Sequence, residues 1–161
     1  MIYHFWDRDR GGFFFTADDS ERLLIRQKEV RDGAVPSGNS VALLNLVRLA
    51  RLTGTTDFEV KATQLAKVFL SEVGATPSSY TLFLTSTDFL AGSSCEIVLV
   101  GNPESDETRT ILDVFRKEFV PNKVLLFKSL NNPDIVKLSH FTEYMTALNH
   151  KTTVYICRDF T

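Results

Sequence analysis

Two cysteines in 161 residues, Cys95 and Cys157, leave the chain without a C-x-x-C pair and without the ligand set of a structural zinc. Thiol exchange is not expected of it, and both residues, set in apolar strand-like runs, read as buried free thiols. A disulfide between them would need neighbouring strands of suitable geometry. Histidine is as scarce: His4, His140 and His150 stand in no catalytic spacing. Basic charge is not in excess, with 18 Lys and Arg against 20 Asp and Glu and a net charge of −2, which argues against nucleic acid as a partner. No apolar run approaches the roughly 20 residues that span a bilayer, and Met1 is not followed by a secretory leader. The reading is a cytoplasmic chain with no membrane partner. Also missing are G-x-G-x-x-G, a P-loop lysine and G-x-S-x-G, so no cofactor is expected and no activated serine is in view.

What the chain does have is a core. Hydrophobic residues make up 43% and charged residues 24%, the balance of an ordinary globular protein long enough to bury a substantial interior. Thirteen Phe are a heavy aromatic load. Runs such as Phe13-Phe14-Phe15 fill a core or line a pocket.

The most informative stretch is Lys28-Glu29-Val30-Arg31-Asp32-Gly33-Ala34-Val35-Pro36-Ser37-Gly38-Asn39-Ser40. It concentrates charged and amide side chains, glycine and proline in one connection and runs straight into an apolar helix, Val41 to Leu52. One Ser or Asn cap is enough to start a helix, so this loop has more turn chemistry than a helix start requires. Two readings stand level. Lys28, Glu29, Asp32, Ser37 and Asn39 either present binding groups on a rigid support or organise the loop itself. Asp32 and Asn39 each flank a glycine and are suited to pin the two ends of the connection, Asn39 as a cap of the helix. Ser37 reads better as a cap or backbone brace than as a nucleophile. Gly101-Asn102-Pro103, between a strand and a helix, is a weak phosphate-site candidate. Arg8, Arg10, Arg26, Lys28 and Arg31 either converge on an anion or, the safer reading, offset Asp7, Asp9, Asp18 and Asp19.

Lys28-Glu29, Asp32-Gly33-Ala34, Pro36-Ser37-Gly38-Asn39-Ser40 and Leu49-Ala50-Arg51-Leu52-Thr53-Gly54 together resemble the YyaL-like family of thioredoxin-domain, spermatogenesis-associated proteins. Phe5-Trp6-Asp7 and Gly11 to Thr16 upstream, and Glu96 to Gly101, Pro121 to Val124 and Tyr155 to Arg158 downstream, extend the resemblance over almost the whole chain. It implies a thioredoxin-like domain followed by an (α/α)6 toroid similar to N-acylglucosamine 2-epimerases, with this chain resembling the toroid's C-terminal end. The redox signature would then lie in the thioredoxin-like domain. Asp32, Ser37 and Asn39 would face the toroid cavity, where related epimerases bind sugars; those epimerases use paired histidines, which this chain does not place in a family motif, so epimerase chemistry is not expected.

Along the chain, Met1 to Trp6 reads as the tail of a helix. Gly12 to Thr16 and Leu23 to Gln27 read as a β-hairpin. Helices are expected from about Ser40 to Thr53, with Asn45, Arg48 and Arg51 as a polar stripe, and from Thr56, with an apolar face of Phe58, Ala62, Leu65, Ala66, Phe69 and Val73. A third follows the Thr76-Pro77 cap to about Phe89. Cys95 to Val100, a Ser105-capped helix to Phe119 and Lys123 to Phe127 make a βαβ unit; helical material from Asn132 to Leu148 and a strand from Thr153 follow.

The expected fold is therefore mixed α and β. Residues 1–92 would be a partial toroid with a β-hairpin and about three helices, and residues 93–161 a small three-stranded α/β subdomain. A complete toroid needs about twelve helices, more than this chain can supply at ordinary helix lengths, so it reads as one part of a larger architecture. Helix faces without their usual neighbours predict self-association, or docking on the remaining toroid or a thioredoxin-like domain on another chain. Two functions are kept open: a sugar- or small-molecule-binding toroid fragment, and a non-catalytic scaffold. An isolated enzyme is not expected.

Overall fold

The computed structural model describes residues 1–21, 24–132 and 134–160, which gather in two units. The first holds Met1–Arg48 and Thr56–Ala91; the second holds Leu49–Thr55 and the described residues from Gly92 onward. Six α-helices and one three-stranded sheet among the described residues make the chain mixed α and β. None of these helices is long and apolar enough to cross a membrane.

The first unit opens with one helical turn, α1 (Ile2–Phe5), and a long irregular segment leading to α2 (Gly38–Thr53). Its helical body is completed by α3 (Thr56–Ala75) and α4 (Thr81–Ala91). The apolar period of α3 is realised: Ala62, Leu65, Ala66, Phe69 and Val73 are buried, and Phe58 is half-buried. Phe69 meets Phe83 of α4 edge to face with centroids 6.1 Å apart, a preferred aromatic geometry.

Three expectations need correction here. Among the described residues of 12–27 no hairpin ladder forms: they carry a single bridge, Trp6 to Phe13, and a hydrogen bond from Phe15 N–H to Gln27 O at 2.8 Å. Leu23, where the second run was to start, lies outside the described residues. One carbonyl of the first run, Thr16 O, is taken by a side chain instead, that of Arg26, which also donates to His4 O. Thr76-Pro77 opens a 3-10 turn, Pro77–Ser79, and the α-helix starts only at Thr81. The polar stripe of α2 is also incomplete. Asn45 and Arg48 are exposed, but Arg51 is buried in the second unit, 3.4 Å from Asp159 and over the Phe160 ring.

The second unit is built on β1 (Cys95–Gly101), buried along nearly its whole length. It pairs in parallel with β2 (Lys123–Ser129) and antiparallel with β3 (Thr153–Arg158), giving the order β2-β1-β3. The crossover is α5 (Asp106–Lys117), whose N-terminus Ser105 caps by accepting from Thr108 N–H at 3.2 Å. Val98, Val100 and Leu126 form the core of one sheet face, packed by Leu52, Phe141 and Met145 among others.

Helix from Asn132 to Leu148 is not continuous. Pro133 lies outside the described residues; beyond it stand α6 (Ile135–Leu138) and 3-10 turns at His140–Thr142 and Leu148–His150. The backbone bonds here are of the i to i+3 kind, Thr142 N–H to Ser139 O and Met145 N–H to Thr142 O, and Thr142, Glu143 and Met145 also give their carbonyls to the buried Lys128 ammonium.

The cysteines lie on neighbouring strands, but Cys95 stands opposite Arg158 and Cys157 opposite Glu96. Directly opposed residues share a sheet face, so the two thiols point to opposite faces and both are free. Burial, then the charges of Glu96 and Cys95, push the Cys157 thiol above its ordinary value.

Candidate functional site

The loop ahead of α2 is tied together residue by residue. Ser37 is the helix cap: its Oγ accepts from Ser40 N–H at 3.0 Å, and its carbonyl accepts from Val41 N–H at 3.1 Å. Ser40 Oγ, buried, donates to Val30 O at 3.3 Å.

Asp32 reaches across the fold. One carboxylate oxygen accepts from Ser37 N–H at 3.0 Å, and the other from Leu82 and Phe83 N–H at 2.9 and 3.1 Å. Its own N–H donates to Ser79 O at 2.9 Å. Asp32 thus caps α4 from a loop about 50 residues away, a carboxylate on the positive end of the helix dipole. Asp32→Ala is expected to cost about 1–3 kcal/mol through the lost cap and stranded N–H groups. Thermal melts should show Asp32→Asn, which keeps one acceptor oxygen, losing less.

Asn39 does not cap α2. It lies inside the helix, buried, and its amide bridges two other segments: Oδ1 accepts from Phe13 N–H at 2.7 Å, and Nδ2 donates to Phe13 O at 2.9 Å and Glu29 O at 2.8 Å. Each of these bonds would be mismatched by an amide flip, so the network fixes the orientation.

Lys28 belongs to a second knot. Its ammonium donates to Asp7 Oδ2 at 2.6 Å and to Gly11 O at 2.9 Å, while Asp7 Oδ1 accepts from Asp9 and Arg10 N–H. Gly11 and Gly12 both sit at φ +79, where a side chain would be strained, which lets the chain turn tightly over this pair. Burial pushes the Asp7 carboxyl up, but the Lys28 hydrogen bond, the two backbone N–H groups and the Lys28 charge outweigh it and hold it below its ordinary value of 3.8. A carboxyl lowered by folding adds stability above its unfolded pKa and withdraws it as pH falls through the folded value. Urea midpoints are therefore expected to fall between neutral and strongly acid pH less steeply in Asp7→Asn than in the parent.

Two of the five candidates, Glu29 and Asn39, line one cavity among the described residues. Its volume is about 280 Å³, and Met1, Phe5, Phe13, Phe14, Phe15 and Gly38 complete its lining. Phe13 is buried in its wall and Phe15 stands open to solvent. Asp32, Ser37 and Lys28 are not among its lining residues. A second cavity is lined by Asp7, Asp9 and Asp18 together with Arg8, Arg10 and Arg26, acids and bases in equal number. Asp7, the partner of Lys28, was legible only as one of the acids offsetting nearby bases. At the end of β1, a Cβ on Gly101 would lie 2.6 Å from Thr108 Oγ1 and 3.0 Å from Thr152, so this glycine is set by close packing against threonine side chains.

No family model matches the chain. It is 30% identical over 154 residues to spermatogenesis-associated protein 20 of Rattus norvegicus, covering 94% of this chain and 20% of that one. The chain is a relative of spermatogenesis-associated protein 20. The Homo sapiens protein of that name is 27% identical over 157 residues, 96% of this chain and 20% of its own length. An uncharacterized protein of Caenorhabditis elegans is 26% identical over 159 residues, 97% of this chain and 21% of that one. The chain thus spans about a fifth of the length of the curated relatives it matches.

Proposed function

We propose that this relative of spermatogenesis-associated protein 20 is a non-catalytic interaction module, an (α/α)-toroid segment that docks on further toroid helices and helps position a thioredoxin-like domain. The observation that carries the reading is an uncovered apolar surface on the first unit. Met1, Tyr3, Phe15, Leu24 and Ile25 are 68, 79, 76, 104 and 74% exposed. Phe14 N–H to Phe5 O, Phe15 N–H to Gln27 O, and Arg26 to His4 O and Thr16 O hold their segments side by side. Apolar patches of this kind are usually covered by another surface. Relatives about five times as long as the chain offer one.

A sugar site in the toroid cavity is the second reading. It is supported by the aromatic lining shared by Glu29 and Asn39 and weakened by the polar groups of Asp32, Ser37 and Asn39, which are spent on backbone. The interaction reading also implies a cytoplasmic location, which two free thiols favour.

Sedimentation velocity across micromolar concentrations is expected to show self-association when no other partner covers the patch. Phe15→Glu with Ile25→Glu is expected to return a monomer. A clean monomer of the parent at every concentration would overturn the proposal.

A further inference from the structure

Beyond docking, we infer that the Phe-lined cavity of the first unit is a binding site for a small apolar amine, an alkyl- or arylalkylammonium. The wall is aromatic and the polar side chains on it offer acceptors. Glu29 is exposed, and its carboxylate has no partner among the described residues. Both N–H groups of Asn39 are committed to Phe13 O and Glu29 O, while its Oδ1 accepts only from Phe13 N–H and keeps one lone pair.

A ligand here must therefore bring donors and preferably positive charge, with an apolar body for the rings. Arg26 and Lys28 already stand over the Phe14 ring, 4.1 and 5.1 Å from its centroid, so the face offered to a ligand cation is that of the exposed Phe15. Neither cation is bonded to Glu29: Lys28 is held by Asp7 and Gly11 O, and Arg26 by His4 O and Thr16 O. A volume of about 280 Å³ lies at the small end of ligand pockets, which run from about 300 Å³ upward, so the ligand is small.

The chain supplies its own reporter. Its single Trp, Trp6, packs edge-on against Phe13 of the wall with centroids 4.9 Å apart. Titration of the whole chain with phenylpropylamine, phenylpropanol and phenylpropionate, read by Trp6 fluorescence and by thermal shift, tests the site. The amine is expected to saturate at least about tenfold more tightly than the alcohol, the worth of one charge-assisted hydrogen bond, and the acid to bind weakest. Glu29→Gln, with its fold checked by circular dichroism, should remove the amine's advantage over the alcohol. Phe15→Ala should weaken amine and alcohol together. Equal binding of the three compounds, a preference that survives Glu29→Gln, tighter binding of the acid, or no saturation at millimolar amine would each overturn the inference.

Discussion

Asn39→Ala is expected to lower the stability of the chain by about 3 kcal/mol, because it strands polar backbone atoms that only this side chain reaches. Asn39 is buried, and its amide satisfies Phe13 N–H, Phe13 O and Glu29 O together. Removing it leaves a donor and two acceptors facing a methyl group, and each stranded group costs about 1–3 kcal/mol, with the sum less than additive. Asn39→Asp makes the test specific. It keeps an acceptor for Phe13 N–H but turns the donating nitrogen into an oxygen facing two carbonyls, so it should unfold at least as early. Urea unfolding followed by Trp6 fluorescence measures both. If Asn39→Ala unfolds at the parent's midpoint, the bridge contributes nothing and the irregular segment is held in some other way.

The same residue shows how far a sequence reading reaches. Bonds between near neighbours in the chain were legible: Ser37 caps α2 through Ser40 N–H, three residues on, and Ser105 caps α5 in the same way. The buried face of α3 followed from its period alone. Asp32 and Asn39 were legible as loop residues of consequence, but their partners lie 50 and 26 residues away in sequence, and residue type carries no address at that range. The hairpin failed for a related reason. Aromatic and β-branched content around residues 13 and 25 suits strands, yet the side chains of Arg26 and Asn39 take two carbonyls of the first run, Thr16 O and Phe13 O. The cavity was half legible. Phe13-Phe14-Phe15 announced core or pocket lining, but only the fold sets Glu29 beside them.

Lys128 was the least legible residue, and its replacement is the other large effect expected. In the alternation of β2 it stands on the inward side with Val124 and Leu126, opposite Val100. The sequence reading ends this strand at Phe127 and leaves Lys128 outside it. Instead it is buried, and its three N–H donors meet Thr142 O at 2.7 Å and Glu143 O and Met145 O at 2.9 Å. An ammonium has three donors and no acceptor, so the cage matches it fully. Thr142 O also accepts from Met145 N–H at 3.1 Å, while Glu143 O and Met145 O have the ammonium as their donor. Lys128→Met keeps the stem's volume but leaves Glu143 O and Met145 O without that donor, an expected loss of about 2–4 kcal/mol. Lys128→Arg should not rescue it, since a planar fork cannot aim at three converging oxygens as an ammonium does. Hydrogen exchange should locate the damage in β2 and residues 139–147, with α3 and α4 still protected. A Lys128→Met protein as stable as the parent would mean that water satisfies the three carbonyls as well as the lysine does.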